Sequence, residues 1–482
     1  MLALALMPLA GRTDQLAWMP RTDVEKVVKS IQDYPSKQKK GVSKMTEAAV
    51  NANMLVGVAE NDITPPLGTQ LAGYFAPRIS DGVISPLMAK ALVVGAGAER
   101  CVLICCDLIA MTANLCEKVR SLITAKTGIA GDRIMICSTH THTGPETRIR
   151  PDSIISINQE YLAGLPERIA TAAITAAERQ RDAVLCIGRE LEEGLSFNRR
   201  FRMEDASEQF GPGGPLKCEG VAGPIDPEFG ALVFKEELTS KPFAIVCNYS
   251  VHIDVTGGTK ISADYPAVMT NTLRAVYGPE LIVMYVQGAC GNINHCAYLQ
   301  NNPYPGKGVW KSEQMGRAFA GKALTIAEKA LPSKTNKVGT AREILDVPMY
   351  PRDMVLEQRV AAAKAKENPS AAEKRLIELA DSYNPEGATP HEVQTLRIGD
   401  AVFCGAPGEY FVEWGLEIKK WSPFPYTFIA ELCNDAVGYI PTYEAFLRGG
   451  YEATPVLSVR STPALGQMIA DANFRNLRKL KD

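Results

Sequence analysis

Apolar residues in this chain come in short runs bounded by turn-forming residues, and these runs alternate with longer stretches of helical spacing. Leu55-Val-Gly-Val-Ala59, residues 88–95, 101–110 and 133–138 read as strands. Asp62-Ile-Thr-Pro-Pro66 follows the first as a rigid turn. Residues 113–126 and the alanine-rich stretch 159–180 carry helical spacing. Further strands are predicted at 183–189, 228–236, 243–251, 281–287 and 426–432, and helices at 265–277, 311–331, 353–382 and 409–420. Arg397-Ile-Gly-Asp400 marks a hairpin within 394–405, and the glycine- and proline-rich residues 203–225 read as a long loop. The alternation predicts an α/β to α+β fold, a layered mixed β-sheet core flanked by helices.

Composition narrows the possibilities. The chain has 482 residues, 46% hydrophobic and 22% charged, which suits a large globular core. A net charge of −2 gives no electrostatic case for nucleic acid, and no basic run suggests a membrane surface. No apolar stretch approaches the roughly 18 residues of a spanning helix, so no stable membrane insertion is expected. The twelve cysteines contain no Cys-x-x-Cys pair. Cys101, Cys105, Cys106, Cys137, Cys186 and Cys247 lie inside apolar runs, as small buried hydrophobes do. That usage fits a reducing compartment, and a cytoplasmic location is expected. Met1–Gly11 has a short apolar core without a preceding basic residue. Residues 1–44 therefore read as a poorly ordered or non-native extension, and 45–482 as a single domain. Oligomeric state leaves no readable mark.

The chemistry concentrates in Cys137-Ser-Thr-His-Thr-His-Thr-Gly-Pro145, which holds two of the five histidines. In an extended chain, residues two apart share a side, so His140 and His142 could start a metal site. His252 ends another apolar run. Ser250, His252 and Asp254 alternate there, but alternate side chains on one strand lie about 6.6–6.8 Å apart. A nucleophile must reach its base, and no Gly-x-Ser-x-Gly elbow is present, so this is not a triad. Gly405-Ala-Pro-Gly-Glu409 puts a carboxylate after a strand and at a helix start, as a cap or as a metal ligand. Gly288 and Gly291 in Gln287-Gly-Ala-Cys-Gly-Asn-Ile-Asn294 allow close backbone approach. No Gly-Lys-Ser/Thr follows, which excludes a phosphate loop. Cys290 reads as a buried structural thiol rather than a nucleophile partnered by His295, and His391 as a surface residue. The residues alone thus offer His140, His142, His252 and Glu409 as a nitrogen/oxygen metal set.

Several blocks, in order, resemble the catalytic domain of the neutral ceramidases. They are Val56–Pro65, Ser138–Pro145, Asn198-Arg199, Asn248–His252, Ile261–Pro266, Gln287–Asn292, Pro407–Glu409, Asn434–Ile440 and Tyr451–Ala453. The resemblance spans about residues 54–455 and implies a ceramidase-like fold for 45–482, with zinc-dependent cleavage of an N-acyl bond. It implies His140, His252, Glu409 and Tyr439 as Zn2+ ligands. His142 becomes an auxiliary catalytic group, and Arg199 and Tyr451 polar contacts to the scissile carbonyl. Two departures argue against ceramide itself. Glu146-Thr147 follows Gly-Pro where the family has small glycines, and 31 residues after Tyr451 are too few for the family's immunoglobulin-like domain. Glu146, Arg148 and Arg150 point to a polar or charged small-molecule substrate. The expected reaction is attack of zinc-bound water on an amide carbonyl. The alternatives are a zinc esterase or lactonase on a small polar substrate, and a non-catalytic binding protein on the same fold.

Overall fold

Parity along the strands builds this fold. In the computed structural model, which describes residues 53–148, 156–300 and 306–481, eight strands form the body of one sheet. They are β1 (Asn53–Asp62), β2 (Met88–Val94), β3 (Cys101–Cys106), β4 (Ile134–Ser138), β5 (Arg181–Leu191), β6 (Glu228–Lys235), β7 (Pro242–Tyr249) and β8 (Ile282–Gln287). Their spatial order is β8-β7-β6-β5-β1-β2-β3-β4, with Leu331–Pro332 paired to β5. The β7–β8 and β3–β4 pairs are parallel and the rest antiparallel.

Alternate residues of β2 face opposite layers. Ala89, Ala91 and Val93 pack with helices α1 (Ala113–Thr127) and α2 (Ser156–Glu178), whereas Leu92 and Val94 face a second sheet. Likewise Ala231 and Val233 of β6 meet α3 (Tyr265–Tyr277) and α4 (Val309–Lys329), whereas Leu232 and Phe234 face inward. The second sheet contains β9 (Val338–Pro348), β10 (Ala388–Ile398), β11 (Ala401–Gly405) and β12 (Tyr426–Ala430), in that order, with β11–β12 parallel. Its outer face carries α7 (Val412–Trp421) and α8 (Leu465–Lys481). The layers therefore run helix, sheet, sheet, helix. Strands β3, β4, β7 and β11 are buried throughout, which explains their nearly continuous apolar sequence.

Three expectations are corrected. Residues 203–225 are not one loop: Arg200–Met203, Glu208–Phe210 and Cys218–Val221 form a small antiparallel sheet. The helix expected over 353–382 is two, α5 (Met354–Lys364) and α6 (Ala371–Asp381). Pro369 disfavours helical backbone at its predecessor, and Ser370 starts α6 with a capping box to Glu373. Glu409 is not at a helix start, because Glu409–Tyr410 is a short strand that pairs with Tyr439–Ile440 before α7 begins at Val412. The expectations for residues 1–44 and for Arg150 fall outside the described residues.

Candidate metal centre

The carboxyl ends of the parallel strand pairs converge on one place. His140 lies just past β4, His252 just past β7, and Glu409 opens the short strand that follows β11. His140 and His142 do not come together by strand alternation, as the sequence suggested. His140 has a φ of 74°, a left-handed conformation rare for a residue with a side chain. That kink is held at both sides: the His140 amide donates to the Leu108 carbonyl (2.9 Å), and the His142 amide to the Ile253 carbonyl (3.0 Å). Strained backbone held this firmly is a common mark of a functional site.

Backbone carbonyls set the ring tautomers. His140 Nδ1 lies 2.8 Å from the Ile109 carbonyl, and His252 Nδ1 lies 2.9 Å from the Cys290 carbonyl. A carbonyl can only accept, so Nδ1 carries the proton in each ring, and Nε2 is left as a bare lone pair when the ring is neutral. Those two Nε2 atoms are 3.2 Å apart. His142 Nε2 is 3.3 Å from His140 Nε2, and Glu409 Oε2 is 3.4 Å from both His140 and His252. For His140, His252 and Glu409, acceptors thus face acceptors in a buried space. Glu409 Oε2 has no hydrogen-bond donor there. Such a set needs a cation or extra protons, and the three histidines form a group that could hold a metal ion, with ligand atoms within 4.8 Å of one another.

Electrostatics agree with that demand. Burial alone would raise the Glu409 carboxyl, but His140 and His252 outweigh it and hold it well below the usual range. Burial, with the nearby Arg199, lowers His252 to about 4. Burial also opposes charging of His140, yet Glu409 draws its pKa upward. His142 is pushed well below its ordinary value, chiefly by burial, against the pull of Asp254.

Strand pairing sets Tyr439 directly beside Glu409. Arg199 donates to the Tyr439 hydroxyl (3.0 Å), to the Gly291 carbonyl (2.8 Å) and to Glu452 (2.8 Å). Glu452 also binds Arg200 (2.9 Å), which pairs with Glu208 (2.8 Å). These buried charges are therefore all compensated. Tyr451 packs edge-on against Tyr439, with ring centroids 5.4 Å apart. Gly291 is needed for close approach, since a Cβ there would lie 2.4 Å from the Glu409 carbonyl oxygen.

The structure thus gathers His140, His142, His252, Glu409, Tyr439, Arg199 and Tyr451 around one point. Cys290 is fully buried, as expected for a structural thiol. His391 is not a surface residue: it is 8% exposed on β10 and pairs with Asp435 at 2.8 Å. Two contributors are not among the expected site residues, although Asp254 stands in the alternation with His252 that is rejected above as a triad. Asp254 lies 3.8 Å from His142 Nδ1 and is itself held by Tyr74 and by Lys307 (2.8 Å). Glu431, at the end of β12, accepts from the Cys290 amide (2.8 Å) and thiol (2.9 Å).

No protein-family model and no curated protein matches the chain by sequence. Solved structures do match by fold, among them two ceramidases. The neutral ceramidase from Pseudomonas aeruginosa superposes with a TM-score of 0.70 at 18% identity, over 89% of this chain and 75% of that one. A ceramidase complexed with C2 gives 0.69 at 17% identity, over 89% of this chain and 76% of that one. The chain has the ceramidase-like fold, the layered mixed-sheet architecture expected from the sequence.

Proposed function

We propose that this chain is a zinc-dependent hydrolase of an N-acyl amide on a small polar substrate other than ceramide. The convergence of bare imidazole nitrogens on the unpartnered Glu409 oxygen carries the reading. Two neutral imidazoles and a carboxylate suit zinc, so His140, His252 and Glu409 would hold it, with Tyr439 alongside. Bound there, zinc would supply Lewis acidity, lowering the pKa of water towards about 7 and polarising a carbonyl.

The chain's own groups do the rest. Burial keeps His142 neutral and able to accept a proton, and the Asp254 carboxylate beside it steadies the resulting imidazolium. Arg199 orients the Tyr439 oxygen and, with Tyr451, offers donors to the carbonyl oxygen as charge develops. The Glu146–Arg148 ion pair (2.9 Å), in place of small residues after Pro145, suits a polar substrate better than two lipid tails. Residues 45–482 act as one catalytic domain in this reading. All twelve cysteines are free, which suits a cytoplasmic protein. Among the described residues, no helix is long and apolar enough to cross a membrane.

Metal content by plasma mass spectrometry, for wild type and His252→Ala, tests the proposal. The expected result is about one zinc per wild-type chain. The variant should lose the metal, and amide hydrolysis should fall more than about 100-fold. A wild-type protein that takes up no metal when zinc is supplied would overturn it.

A further inference from the structure

A cavity of about 650 Å³ opens beside the candidate metal centre. Val437 and Gly438 line it, and the Gly438 carbonyl accepts from the Glu409 amide at 2.9 Å, so cavity and centre share a wall. Arg148 lines it too, close enough to Glu409 for that carboxylate to favour its charge. Arg460 lines the same space.

The carboxylates beside this cavity are already engaged. Asp435 is engaged by His391 (2.8 Å) and by the amides of Ala113 (3.1 Å) and Ala436 (2.8 Å). Glu146 grips Arg148 through both oxygens, at 2.9 and 3.0 Å. The Arg460 guanidinium has no carboxylate within ion-pair distance among the described residues, although its backbone is fixed by bonds from the Tyr350 amide and the Tyr383 hydroxyl. The Arg460 side chain is exposed at the cavity, where Arg148 and Arg375 repel its charge. Two guanidiniums facing one cavity, one without a counter-charge, match the planar, multidentate geometry of a carboxylate or phosphate.

We propose that this cavity binds an anionic group of the substrate between Arg460 and Arg148, so that the preferred substrate is an N-acyl compound bearing a carboxylate or phosphate. This rests on the hydrolase reading for its placement on a substrate. The anion site itself stands on the cavity and its charges.

The test is isothermal titration of the full-length protein with glutarate and, separately, with inorganic phosphate. Wild type, Arg460→Met, Arg460→Lys and His252→Ala are compared. One anion should bind wild type and His252→Ala alike, bind Arg460→Met about tenfold or more weakly, and recover in part with Arg460→Lys. Whichever anion binds more tightly identifies the group. Equal binding to wild type and Arg460→Met, or no binding of either anion to wild type, overturns the proposal. Binding lost in His252→Ala but kept in Arg460→Met puts the anion on the histidines and also overturns it. Arginine-dependent binding in a protein that hydrolyses no N-acyl compound would retain the anion site and remove the hydrolase reading.

Discussion

Glu431 is fully buried and receives bonds from the Cys290 and Tyr410 amides (2.8 and 3.2 Å). Burial raises its carboxyl from 4.5 to about 8, against the pull of His140. The sign of the pH effect follows. Below about 4.5 both folded and unfolded chains hold the proton; between there and about 8 only the folded chain does, so rising pH favours unfolding. In chelator-treated protein, Glu431→Gln should therefore gain stability over wild type progressively from about pH 5 to 8, read as the urea midpoint. A gain that stays constant across that range would remove ionisation of Glu431 as its source. The sequence made the histidines and Glu409 legible because they stand in motifs at the ends of apolar runs. Glu431 stands inside Ile429-Ala-Glu-Leu-Cys433, where only burial by the neighbouring strand and loop gives it a role.

Elements position these residues through backbone contacts that tolerate little added bulk. Gly291→Ala would place a methyl against the Glu409 carbonyl oxygen, at 2.4 Å before any shift. It should displace Glu409 and weaken retention of the proposed metal ion while leaving far-ultraviolet circular dichroism unchanged. At α6, Ser370 accepts from the Glu373 amide, and the Glu373 carboxylate accepts from the Ser370 amide at 2.8 Å. Ser370→Ala should cost about 1 kcal/mol of stability, with faster amide exchange confined to that helix. Hydrophobic spacing found most strands and helices here, including Tyr265–Tyr277, whose bounds match the expectation. It missed the interruption at Pro369 and the small sheet at 200–221, whose short strands lack any periodic run.

The molecule is held together across its middle by two sheets facing each other. Phe428 of the second sheet fits over Gly230 of the first, where a Cβ would lie 2.1 Å from its ring. Phe428→Ala should destabilise the fold by about 3–5 kcal/mol, measured by urea denaturation. The order of strands and the pairing of the two sheets were not legible, because parity marks which face of a strand is apolar but not which layer will cover it.

His140 and His252 come from the first sheet, and Glu409 follows the second. An ion held by all three is therefore a gauge of how well the two sheets are aligned. By thermodynamic reciprocity, whatever factor the ion adds to the aligned state is the factor by which misalignment loosens the ion. A change such as Phe428→Ala, remote from any ligand, should thus reveal itself first as faster loss of the proposed ion to a chelator, while the protein still looks folded.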